Sequence, residues 1–127
     1  MGTGEQKTIA IIGASNDRSK FGNKAVRAYV QVGYDVYPVN PKETLIEGLI
    51  AYRSVLEVPV KLNMVSLYLP PAVGLRVLPE VAKKGCDELW LNPGSESDEL
   101  IEKATELRLS AICACSILAA GVKPESL

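Results

Sequence analysis

Short apolar runs closed by glycine or proline alternate along this chain with segments whose apolar residues recur at helical spacing. No other feature restricts the fold as strongly. Thr8 to Gly13 (TIAIIG) is β-branched and apolar throughout, as a strand buried on both faces must be. Asn23 to Val32 places Ala25, Val26, Tyr29 and Val30 on one helical face, and Gly33 is a natural stop. Asp35 to Val39 (DVYPV) is the second strand; Pro38 has no N–H to donate, so that strand must leave its end or one edge free there. Between Asn40 and Leu62 there is no room for a full crossover helix. A short edge strand over Leu49 to Tyr52 and one helical turn over Ser54 to Glu57 are expected instead.

The alternation then resumes. Asn63 to Leu69 (NMVSLYL) reads as a strand stopped by Pro70 and Pro71, Ala72 to Lys84 as a helix closed by Gly85, and Asp87 to Leu91 (DELWL) as a strand followed by an Asn92-Pro93-Gly94 turn. Ser97 caps a helix running to about Leu107, with Asp98 and Glu99 at its positive end. Ser110 to Cys115 is the last strand, with Cys113 and Cys115 on one face as small apolar side chains, and Ser116 to Leu127 carries no decisive pattern. Strands joined through helices form a parallel sheet with right-handed crossovers. The expected fold is therefore a Rossmann-like, doubly wound, three-layer α/β/α domain with strand order 3-2-1-4-5-6, spanning residues 1–127 as one unit. Its switch point falls between the strands ending at Gly13 and Leu69, where such sheets bind ligands.

Composition narrows the chemistry. With no histidine, serine triads, cysteine–histidine pairs, phosphohistidine intermediates and imidazole metal sites are excluded. Cys86, Cys113 and Cys115 are odd in number and lack a CxxC spacing, so no disulfide framework or metal site is expected. A net charge of -1 removes the broad positive field of duplex-binding proteins, and no apolar stretch reaches membrane-spanning length. The N-terminal MGTGEQK lacks the pattern of a secretory signal. Neither nucleic acid nor membrane is expected as a partner, and a cytoplasmic location is.

The switch-point loops suggest an anion. In G13-A-S-N-D-R-S-K-F-G22, Gly13 allows close approach, Ser15 adds a hydroxyl, and the following helix offers free N–H groups. Ser15 and Arg18 stand where a GxGxxG dinucleotide fingerprint needs glycine, which disfavours NAD. Residues 1–27 carry Lys7, Arg18, Lys20, Lys24 and Arg27 against Glu5 and Asp17; solvated surface charge is the plain alternative. After the second strand, where NAD-binding domains place a carboxylate, stand Val39, Asn40, Pro41 and Lys42. A cation there suits a phosphorylated ribose: coenzyme A with its 3′-phosphate, or NADP with its 2′-phosphate. Leu69-Pro70-Pro71 forms a stiff apolar wall, and Trp90 to Gly94 could close the cleft, although Trp90 also suits the core.

Taken together and in order, G13-A-S-x4-K20-F-G22-N, P38-V-N-P-K42, E47-G-L-x-x-Y52, L69-P-P-A-V73 and W90-L-N-P-G94 resemble the small CoA-binding proteins related to the nucleotide-binding domain of the succinyl-CoA synthetase alpha subunit. The resemblance runs from about Thr8 to about Ser97. It implies coenzyme A as the ligand, held by Gly13, Ala14, Ser15, Lys20 and Gly22, by Val39, Asn40, Pro41 and Lys42, and by the turn containing Leu69, Pro70, Pro71 and Val73. Relatives often carry glutamine at the position of Asn92, and the phosphohistidine of the larger synthetases has no counterpart here. The expectation is non-catalytic binding of CoA or an acyl-CoA, since no loop supplies an evident base or nucleophile. An NADP-binding oxidoreductase fragment and a scaffold that binds only a protein partner are the alternatives, and a homodimer is compatible with either.

Overall fold

The computed structural model describes residues 6–127. Strands β1 (Thr8–Ile12), β2 (Asp35–Val39), β5 (Leu62–Leu67), β6 (Cys86–Leu91) and β7 (Ala111–Cys113) form one parallel sheet in the order β2-β1-β5-β6-β7. Helices α1 (Phe21–Gln31), α2 (Pro71–Lys84) and α3 (Asp98–Glu106) connect them, and a short α4 (Ser116–Ala119) follows β7. The fold is the expected doubly wound, Rossmann-like α/β arrangement. Strand β1 shows why two helical layers form. Ala10 and Ile12 join one buried cluster with Leu78 and Val81 of α2 and Leu100 of α3, whereas Ile9 and Ile11 join the other with Val26 and Tyr29 of α1 and Ile117 of α4. Alternate side chains of a central strand thus supply both cores.

The outermost expected strand is the main departure. Leu49–Ile50 (β4) does not enter the sheet but folds back on Leu45–Ile46 (β3) through a two-residue turn in which Glu47 and Gly48 have φ of 50° and 77°. That is the primed geometry favoured in tight hairpins. Tyr52 alone of the described segment hydrogen-bonds to the sheet's ladder, as a single parallel bridge to Val39; its N–H donates to Pro38 O (2.9 Å) and its carbonyl accepts from Asn40 N (2.9 Å). Continuing that ladder toward Ile50 would require an N–H on Pro38, which proline lacks. The edge strand therefore stops after one residue.

The end of the last strand is also corrected. Strand β7 ends at Cys113, which is exposed, so Cys113 and Cys115 are not a buried pair on one strand face; Cys115 instead precedes α4 and is half-buried. The segment after it is helical because buried Asn92 captures it: Asn92 Oδ1 accepts from Ser116 N (2.8 Å), while Asn92 Nδ2 donates to Ser66 Oγ (2.8 Å) and Leu67 O (2.9 Å). Trp90 is half-buried rather than fully in the core, and its Nε1 donates to Glu88 (3.2 Å).

Candidate functional site

The carboxyl ends of β1 and β5 open into two clefts that meet at Gly13 and Leu69. The larger, of ≈ 510 Å³, lies beside β2 and is lined by Val39, Asn40, Pro41, Lys42, Val73 and the segment Arg53 to Val55. The other, of ≈ 330 Å³, is lined by Lys20, Phe21 and Gly22 on one side, and by Tyr68, Pro70, Pro71 and Pro93 to Ser95 on the other.

Backbone packing shapes the saddle between them. Gly13 has φ of 90°, and a Cβ there would lie 2.3 Å from Tyr68 O; a Cβ on Gly22 would lie 2.2 Å from Gly13 O. Both positions therefore require glycine, one for conformation and contact, the other for contact alone. The loop after Gly13 is strapped down by three asparagines. Asn40 Nδ2 donates to Ala14 O (2.8 Å), buried Asn23 Nδ2 donates to Ser15 O (2.8 Å), and Asn16 Nδ2 donates to Leu45 O (3.0 Å). Within the loop, Asp17 Oδ1 accepts from the Ser19 hydroxyl (2.6 Å) and amide (3.0 Å), which hold its carboxyl below the usual range.

Two helices begin at this saddle. Neither Lys20 before α1 nor Pro70 before α2 makes a side-chain capping hydrogen bond, and neither helix has an acidic residue in its first turn. The partial positive charge of both ends thus remains available to an anion. By contrast, Ser97 caps α3, donating nothing to this site.

Of the residues singled out in the sequence, Gly13, Lys20, Gly22, Leu69, Pro70 and Pro71 line the smaller cleft. Val39, Asn40, Pro41, Lys42 and Val73 line the larger. Ala14 is buried beneath the loop, and Ser15 lines neither cleft; its Oγ accepts from Asp17 N (3.0 Å). The local excess of cations does not all face the site either. Arg18 lies 3.6 Å from Glu47, Arg27 bonds to Asn23 and to Arg18 O, and the Lys24 ammonium sits 5.3 Å from the Phe21 ring centre, leaving Lys20 as the cation of that group at the cleft. Sequence reading missed Arg53, which joins Lys42 in the larger cleft. Its only signal is its position next to Tyr52, the residue bridged to β2. It also missed Phe21 and Tyr68. Ser54 caps the turn over Val55–Glu57, accepting from Leu56 N and donating to Glu80 (2.7 Å), so the one carboxylate lining this cleft is already engaged.

A family model described as a CoA binding domain matches residues 7–121. Among curated proteins, the chain is 37% identical over 78 residues to the alpha subunit of an ADP-forming acetate–CoA ligase II of Pyrococcus furiosus, covering 61% of this chain and 17% of that protein. It is 31% identical over 111 residues to a trans-feruloyl-CoA synthase from an unknown prokaryotic organism, covering 85% of this chain and 16% of that protein. The chain therefore spans well under a fifth of the length of these relatives. Among solved structures, a conserved hypothetical protein from Pyrococcus furiosus superposes with a TM-score of 0.80 at 32% identity, covering 91% of this chain and 99% of that one. A dinucleotide-forming acetyl-coenzyme A synthetase of Ca. Korarchaeum cryptofilum superposes with a TM-score of 0.75 at 28% identity, covering 85% of this chain and 25% of that one.

Proposed function

This chain belongs to the CoA-binding domain family, and from that premise we propose that it binds coenzyme A or an acyl-CoA without itself catalysing a reaction. The observation that carries the reading is the pair of clefts meeting at a glycine saddle onto which two uncapped helix N-termini open. The diphosphate lies across Gly13, taking the amides at the start of α1 and α2, with Lys20 beside it. The adenosine and its 3′-phosphate occupy the larger cleft, where Lys42 and Arg53 supply charge and Val39, Leu69 and Val73 supply apolar walls. The pantetheine arm follows the smaller cleft along Pro70, Pro71 and Pro93.

The names of the relatives, CoA ligases and CoA synthases, support CoA as the ligand class. A binding role rather than catalysis rests on the chain's lack of histidine, the commonest general base. Titration calorimetry with CoA, dephospho-CoA and NADP in one buffer tests the assignment. CoA should bind more tightly than dephospho-CoA, and Lys42→Ala should weaken CoA by about 1–3 kcal/mol, the range for hydrogen bonds to charged groups, with dephospho-CoA nearly unaffected. Equal losses for both ligands would remove Lys42 from the ribose phosphate. Binding of NADP with no heat from CoA would overturn the reading in favour of a redox domain, and silence from all three would leave a protein scaffold.

A further inference from the structure

A third cavity, of ≈ 280 Å³, continues the smaller cleft. The two share Phe21, Tyr68 and Pro93, and the remaining wall comes from the C-terminal segment through Cys115, Leu118 and Pro124. The three cavities thus form one chain of neighbours: the cleft with Lys42 and Arg53, then the cleft at the helix N-termini, then this one. On the CoA reading, on which the present inference rests, that is the direction from ribose phosphate to thiol.

The chemistry of the third cavity differs from that of the other two. Its walls are apolar side chains, and the polar groups at its edge are already satisfied. Asn92 uses its amide on Ser66 and Leu67 and its carbonyl on Ser116, while the Tyr68 hydroxyl is 3.0 Å from Ser116 Oγ. A pantetheine arm placed here would lose water from its two amides without gaining partners, which is unfavourable. A hydrocarbon group has no such penalty. Phe21 and Leu118, which line the cavity, are 52% and 59% exposed, so an apolar occupant would cover surface now facing water. At roughly 30 Å³ per water-sized group the space holds about nine such groups, more than an acetyl and enough for a medium-length acyl chain. Tyr68 is held in place by its bond to Ser116, so the wall shared with the pantetheine cleft is preformed.

We propose that this cavity receives the acyl group of an acyl-CoA, and that the protein's preferred ligand is a medium-chain thioester rather than free CoA. Each buried methylene is worth about fourfold in affinity. Allowing for the chain's lost freedom and incomplete burial, hexanoyl-CoA should bind at least about tenfold more tightly than CoA, with acetyl-CoA close to CoA. The test is titration of the full chain with these three ligands, repeated on Leu118→Asp. That substitution is at an exposed position, so the fold is retained, and it places a carboxylate against the cavity. It should abolish most of the hexanoyl advantage while CoA itself binds as before. If CoA binds and hexanoyl-CoA shows no gain, the acyl site is refuted and the CoA reading stands. If neither binds, both fall. A hexanoyl advantage that survives in Leu118→Asp would refute this cavity as its source.

Discussion

Gly22 has no space for a side chain, because the backbone carbonyl of Gly13 occupies the position a Cβ would need, 2.2 Å away. Gly22→Ala must therefore push the start of α1 away from the loop. The expected cost is about 1–3 kcal/mol of folding stability, typical of overpacking a tight site. An unchanged urea midpoint would contradict this. Titratable side chains that are buried (Tyr29) or half-buried (Tyr68, Cys86) set a second expectation. Burial, with Asp87 and Glu88 adding to it, pushes the Cys86 thiol up to about 11; burial likewise pushes Tyr68 up to about 12, against the opposing effect of Ser116, and raises Tyr29. In each case the native state holds a proton that the unfolded chain releases earlier. Their contribution to stability is complete below the ordinary values, 9.0 for the thiol and 10.0 for the phenols, and declines as pH rises through the folded values. Urea midpoints should thus be level to about pH 9 and fall toward pH 12, with Cys86→Ala removing the earliest part of that decline. A midpoint level to pH 12 would contradict the assignment.

Helix α3 shows an element whose start is set by side chains within a few residues of one another. Ser97 Oγ accepts from Leu100 N (3.1 Å), and Asp98 and Glu99 sit in the first turn. Ser97→Ala should cost about 1 kcal/mol, read in thermal or urea unfolding, without altering ligand affinity, since α3 begins away from both clefts. A loss of CoA affinity would imply that α3 helps to hold the loop of Pro93 to Ser95. The hairpin β3–β4 and helix α4 have different origins. Leu49–Ile50 has the composition of a strand and forms one, but its partner is chosen by the missing N–H of Pro38, which closes the sheet edge to it. Helix α4 follows from Asn92 reaching Ser116 across a separation of 24 residues. Nothing in the immediate neighbourhood of Ser116 announces that contact.

The whole molecule joins two helix N-termini, the three cations Lys20, Lys42 and Arg53, and apolar walls around one saddle, while the rest of the loop's charge is used internally. Binding there would couple to folding, because the ligand would touch β1, α1, α2 and the segment at Arg53 only when they are assembled. CoA at a hundred times its Kd should therefore stabilise the native state by about 2.7 kcal/mol, visible as a rise in melting temperature that dephospho-CoA at the same concentration reproduces only in part. No rise at saturating CoA would argue against the site.

Local patterning determined the order and type of the principal elements, the parallel sheet, and the loops that meet at its carboxyl edge, because periodicity and chain-breaking residues act within a few positions. It also pointed to the loops that line the clefts, Gly13 to Gly22, Asn40 to Lys42, Leu69 to Val73 and Asn92 to Gly94, since a doubly wound sheet brings those loops together whatever their detailed contacts. Tertiary structure decided what local patterning does not carry: that Arg53 joins Lys42, that Arg18 turns to Glu47, that Ser15 sits outside both clefts, and that Cys115, Leu118 and Pro124 form a wall with Phe21. Each of these depends on hydrogen bonding or excluded volume between residues distant in sequence. Such contacts leave no periodic trace in the chain.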